Sequence, residues 1–126
     1  YISGRIVVVN DSYVKIHTHS GTAAALAVTG RSRLFGFGVA SKYTTTIGTP
    51  AIDYKGRIIL RDSTDSSGDA LLQIPIVSTN TYPVHVFSSF ADEDGYVLFE
   101  NGIYIDESTA AGGDPLDGFI VYLIYG

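Results

Sequence analysis

The chain has 126 residues, 45% of them hydrophobic, with no cysteine, methionine or tryptophan and a formal net charge of −5. That length suits one domain with a sizeable core, and the apolar content excludes a disordered chain. The absence of cysteine excludes disulfide scaffolds, thiol catalysis and thiolate zinc sites, and the acidic balance disfavours nucleic acid and anionic membranes as partners.

Ile2 to Val9 is β-branched and closes at Asn10-Asp11-Ser12, which predicts a first strand and a turn. Residues 1–12 read as an N-terminal edge strand or arm of a single domain spanning 1–126. Tyr13 to His19 predicts the next strand, ending at Ser20-Gly21. Thr22 to Val28 is alanine-rich, but Gly21 and Gly30 bracket it too closely for a helix, so a strand of small side chains is expected. Strict alternation in Leu34-Phe35-Gly36-Phe37-Gly38-Val39 puts Leu34, Gly36 and Gly38 on one face and Phe35, Phe37 and Val39 on the other. The glycines suit a bulge or a close neighbour.

Lys42 to Tyr54, rich in Thr, Ser, Gly and Pro, is a long excursion. Arg57 to Arg61 predicts a short strand, ended by the polar loop Asp62 to Asp69. Ala70 to Val77 is extended again, and Pro75 inside it marks an edge strand or bulge. Pro83 opens Val84 to Ser88, and Asp92-Glu93-Asp94-Gly95 is an acidic turn. Tyr96 to Phe99 and Ile103 to Ile105 flank Glu100-Asn101-Gly102, the pattern of a hairpin with a two-residue primed turn. The loop Asp106 to Gly118 precedes the last strand, Phe119 to Tyr125, an apolar run of strand length and too short to span a bilayer.

Eight to ten short strands, many Gly/Ser/Asp turns and no credible helix predict an all-β fold, an antiparallel β-sandwich or jelly roll. The last strand is apolar on both faces, Phe119, Val121, Leu123 and Tyr125 on one and Ile120, Tyr122 and Ile124 on the other. A sandwich covers only one face of a strand, so the second face is expected to meet another subunit. Charge is also segregated. All eight basic residues lie within the first 61 residues against only Asp11 and Asp53, a balance of +6, and the remainder carries −11. Such a chain can set one part of its surface against the opposite part of a neighbour, unless strands of the two halves interleave and mix the charges.

Candidate chemistry is sparse. His17 and His19, two apart on a strand, point the same way and can meet one metal, with His85 as a third ligand. The spacing resembles the histidine pair of cupins, but the glutamate that cupins supply shortly afterwards is missing, since Ser20 to Arg33 contains no carboxylate. Asp62, Asp65 and Asp69 in one loop and Asp92, Glu93 and Asp94 in another are weak calcium candidates beside their plainer role as solvated turns. No serine sits in a Gly-x-Ser-x-Gly elbow and no phosphate-binding loop is present. No enzyme activity, cofactor or resident metal is therefore expected.

The segments Arg33 to Ser41, Gly56 to Asp62 with its Ser/Gly/Asp loop, Leu71 to Pro75, Phe99 to Ile105 and Phe119 to Tyr125 together resemble small β-sandwich virion proteins of tailed bacteriophages. These are capsid decoration (cement) proteins and head or tail fibre modules, and the likeness covers about residues 31 to 125. The resemblance implies a virion-located structural protein without catalytic residues, a homo-oligomer with a trimer favoured, whose partner is the major capsid protein or another virion protein. The residues expected at its contacts are Arg5, Arg31 and Arg33 among the cations and Phe119, Val121, Tyr122, Leu123 and Tyr125 on the final strand. The alternative is a carbohydrate-binding module, lectin-like or the receptor-reading tip of a fibre, with glycan bound by some of the nine tyrosines and six phenylalanines.

Overall fold

In the computed structural model, which describes residues 14–42, 54–78, 85–89, 95–109 and 114–126, the β-branched and aromatic runs become strands and the Gly/Ser/Asp clusters become turns. In chain order these are β1 (Lys15–His19), β2 (Ala25–Thr29), β3 (Ser32–Ser41), β4 (Tyr54–Asp62), β5 (Asp69–Ser78), β6 (His85–Ser89), β7 (Val97–Phe99), β8 (Gly102–Thr109), the single turn α1 (Pro115–Gly118) and β9 (Phe119–Tyr125). The expected strand at Ile2 to Val9, the excursion between Lys42 and Tyr54 and the acidic turn at Asp92 to Asp94 lie outside the described residues.

All pairings are antiparallel. One sheet runs β1-β9-β3, and β6 and β7 share the far side of β3: β7 takes Ser32 to Leu34 and β6 takes Gly36 to Ala40. The other sheet runs β2-β8-β4-β5. With β6 and β7 counted as one position in two pieces, two four-stranded sheets result. Their chain order is the double Greek key of a jelly roll. Between the sheets Leu34, Val39, Phe99, Phe119, Val121 and Leu123 meet Val28, Ile58, Leu60, Ile74, Ile76, Ile103 and Ile105 in one core, each buried side chain contributing about 1.5–3 kcal/mol. Pro75 is on β5, which is an edge strand, as its missing N–H requires.

Two local expectations are corrected. The hairpin at Glu100-Asn101-Gly102 does not form: β7 pairs with β3 in one sheet and β8 with β2 and β4 in the other. The turn crosses between sheets because Phe99 and Ile103 both bury their side chains fully, and facing sheets let them do so from opposite sides. The strict alternation of β3 also breaks. Its register against β9 slips between Leu34 and Gly36, so Phe35 is bulged out and the phase changes. Leu34 and Val39 both enter the core and Phe37 packs on it, while Gly36 and Gly38 turn outward opposite Ile124 and Tyr122.

The topology also decides the charge question. Each sheet interleaves strands from the basic first part with strands from the acidic remainder. Charges far apart in sequence thus meet: Arg61 Nε donates to Asp106 Oδ2 at 2.8 Å, and Arg31 faces Glu100 at 3.5 Å. Among the described residues no basic and acidic hemispheres survive.

Candidate interaction surface

Antiparallel register puts directly opposed residues on one face, and three rungs build the outer face of the β1-β9-β3 sheet. Ile16 lies opposite Ile124, which lies opposite Gly36; Thr18, Tyr122 and Gly38 form the second rung; Ile120 and Ala40 form the third. Ile16 is 69% exposed, and Ile120, Tyr122 and Ile124 are half-buried. Small residues on β3 keep this surface low beside the larger side chains of β9. The helical turn α1 packs against β4, in the other sheet.

Phe119, Val121 and Leu123, expected at a subunit contact, are instead core residues, each 1% exposed or less. The two-residue period leaves only alternate side chains of β9 for a partner, and the core takes this set. Tyr122 is on the outer face, as expected of a contact residue. Tyr125 faces inward opposite Leu34 and packs on the core's border, half-buried.

The second feature is the end of the sandwich where β1 and β3 begin and β9 finishes. An open groove of about 550 Å³ there is lined by Lys15, Arg31 and Arg33 with Tyr125 and the last residues of β2. A hollow of about 360 Å³ on the other side of Arg31 and Arg33 is lined by Tyr96 and Leu98. The Arg33 guanidinium lies 5.3 Å from the Phe35 ring centroid and 5.8 Å from that of Tyr96, and the two rings meet edge to face at 6.2 Å. The bulge that expels Phe35 from the core thus supplies the platform that holds Arg33 outward. Arg31 and Arg33 are therefore placed together, as sequence suggested, whereas Arg5 lies outside the described residues. Lys15, Phe35 and Tyr96 were missed, because only the fold brings the ends of three separate strands together.

The histidine pair takes a different role. His17 and His19 do point the same way, opposite the inward-facing Leu123 and Val121. His19 Nε2–H donates to the Ala23 carbonyl at 3.1 Å, which ties off the β1–β2 connection and occupies that nitrogen. His85 is in β6, three strand spacings from β1 in the same sheet, about 14 Å, too far to complete a triad with it. Among the described residues no three His, Asp or Glu side chains stand close enough to hold a metal. Asp92 and Asp94 lie outside them. In the loop after β4, Asp65 accepts from Ser67 N–H at 2.9 Å and Asp62 Oδ1 from Asn101 N–H at 2.7 Å, so these carboxylates hold the turns themselves.

Burial is the largest influence on His19 and pushes its pKa below 6.5; the Ala23 carbonyl opposes this, and nearby His17 and Lys42 reinforce it. A histidine held neutral in the fold stabilises fully above about pH 6.5, and that stabilisation is lost as pH falls toward the lower folded value. The denaturation midpoint is therefore expected to drop between pH 7 and pH 5, and His19→Asn to flatten that part of the profile. An unchanged slope in the variant would assign the pH dependence elsewhere.

At the opposite end of the sandwich, α1 is clamped through Leu116. Its N–H donates to Glu107 Oε1 at 2.8 Å and its carbonyl accepts from Lys42 Nζ at 2.9 Å. Burial, the largest cause, raises the Glu107 pKa, with Asp114, Asp117 and Asp106 adding to it; the Leu116 N–H opposes them. Both partners of Leu116 are spent on this connection. No protein-family model matches the chain, and no curated protein or solved structure gives a significant match.

Proposed function

We infer that this chain is a structural protein of a virion that decorates or cements a capsid shell and acts through subunit–subunit contacts, not through chemistry. The observation that carries this reading is the apolar outer face of the β1-β9-β3 sheet, where Ile16 is 69% exposed beside Ile120, Tyr122 and Ile124. An apolar face on a rigid sheet, with cations at one end, suits an oligomer contact in which burial supplies affinity and the charged rim sets orientation. Its likeness in segment style to phage decoration proteins supplies the virion context.

Size-exclusion chromatography with light scattering at low and high salt tests the contact. A trimer or other closed oligomer is expected at both salts, and Ile16→Asp with Ile124→Asp is expected to give a folded monomer. A wild-type monomer at both salts would overturn the subunit reading. Mass spectrometry of purified particles from the source of the chain tests the context, and recovery only outside the particle fraction would overturn it. Tyr96, 47% exposed beside Arg33 and Phe35, favours the second reading, a carbohydrate-binding module. Glycan-array binding lost in Tyr96→Ala, by a monomeric protein, is the result that would select it.

A further inference from the structure

The end of the sandwich that carries the cationic groove also carries an organised acidic turn, and the two stand on opposite flanks. At this level the β2-β8-β4-β5 sheet presents Val28, Ile103, Asp62 and Asp69 in register. Three strand spacings of about 4.8 Å put the start of β5 about 14 Å from the end of β2. Arg31 follows β2 after Gly30, and Arg33 on β3 and Lys15 on β1 line the same groove. Asp62, Asp65 and Asp69 belong to the β4–β5 turn.

These charges are only sparsely paired within the molecule among the described residues. Among the described residues the one carboxylate near the groove is Glu100, 3.5 Å from Arg31, with both side chains more than half exposed. Among the described residues, Lys15 and Arg33 have no carboxylate within ion-pair distance, and Asp62, Asp65 and Asp69 have no lysine or arginine. Yet the turn is built rigidly. Arg61 Nη1 donates to the Gly68 carbonyl at 2.9 Å, Asn101 N–H to Asp62 Oδ1, and Asp65 N–H to Ser63 Oγ at 3.0 Å. The groove is ordered too, since Arg33 rests on Phe35 and Tyr96. Two rigid patches with three charges each, opposite in sign and held apart by the sheet, cannot meet in one copy.

We propose that the groove formed by Lys15, Arg31 and Arg33 receives the Asp62–Asp69 turn of a second copy of this chain. The proposal rests on the reading of the chain as an oligomeric subunit and names the charged half of its contact. Because the two patches sit on opposite flanks, the contact is head to tail, and it builds a ring such as a trimer where the rotation between copies closes. Apolar burial on the outer face supplies affinity, and the charge contact sets which flank meets which.

The test is light scattering and sedimentation of wild type, Arg31→Glu/Arg33→Glu, and the same chain with Asp65→Lys/Asp69→Lys added, at about 0.05 and about 0.5 M salt, where the Debye lengths are about 14 Å and about 4 Å. The double variant is expected to weaken association on the order of a hundred-fold at low salt, because like charges then face each other. The four-fold variant, with both signs exchanged, is expected to recover it, and high salt to narrow the difference. Circular dichroism establishes that all three chains are folded. A double variant that associates like wild type overturns the proposal while leaving the subunit reading intact, and so does a four-fold variant that fails to recover. A wild type that is monomeric throughout removes both.

Discussion

Replacing Leu123 by alanine is expected to lower the unfolding free energy by about 2–5 kcal/mol, whereas Ile124→Ser, one residue along the same strand, is expected to cost less than about half of that. Leu123 is fully buried between the sheets, opposite His17 on one side and Phe37 on the other. Removing its branched end leaves a cavity that the thirteen other buried core residues cannot collapse to fill. Ile124 lies half-buried on the outer face, so its shortening removes less contact and opens no enclosed cavity. The two variants should differ in the opposite sense in association: Ile124→Ser weakens the oligomer and Leu123→Ala, where it folds, leaves it unchanged. Urea unfolding with light scattering reads both quantities. If Ile124→Ser proved the more destabilising to the fold, the facing of β9 would be wrong.

Gly56→Ala is expected to be still more damaging, by more than about 3 kcal/mol, and to abolish soluble folded protein in a marginally stable chain. Gly56 has φ +127°, a backbone conformation that side chains rarely adopt, and it pairs with Thr109 of β8 on one side and Ile76 of β5 on the other. An added Cβ would overlap the Ser108 carbonyl oxygen and come within 2.9 Å of the Ser108 carbonyl carbon. These are backbone atoms held in a ladder, so no side-chain rotation relieves the clash. Gly30→Ala is the matched control. Its φ of +80° is also left-handed, but nothing lies within 4 Å of the added carbon, so only the conformational cost of about 1–2 kcal/mol is expected. Equal losses in the two variants would show that backbone conformation, and not the close approach of β8, dominates at Gly56.

Strand content was legible because its signals are local. β-branched runs at a two-residue period, glycine and aspartate at the turns, and a proline that suits an edge or a bulge all act within a few residues, and from Lys15 on the runs within the described residues map onto observed strands. The apolar character of both faces of β9 was equally plain, since seven consecutive apolar residues permit nothing else. Which face is core was not: Phe119, Val121 and Leu123 or Ile120, Tyr122 and Ile124 are interchangeable until β3 and the opposite sheet choose. The bulge at Phe35 was hidden for the same reason. A one-residue slip reverses every later side chain, and only the pairing with β9 sets it.

By itself the sequence determined an all-β antiparallel sandwich, an edge strand or bulge at Pro75, and a chain whose positive charges all precede its sixty-second residue. Tertiary structure decided that Asn101-Gly102 links two sheets and does not close a hairpin, because each flanking strand buries its apolar face from a different side. It also decided where charge matters. Interleaving of the strands mixes the two signs, pairing Arg61 with Asp106 and Arg31 with Glu100, and leaves Lys15 and Arg33 without an ion pair among the described residues at one end of the molecule. Lys15, Arg31 and Arg33 collect on one flank there and the Asp62–Asp69 turn on the other. Hydrogen bonding and side-chain period are short-ranged and can be read along a chain, whereas the position of a charge in space depends on strand order, which the whole core selects.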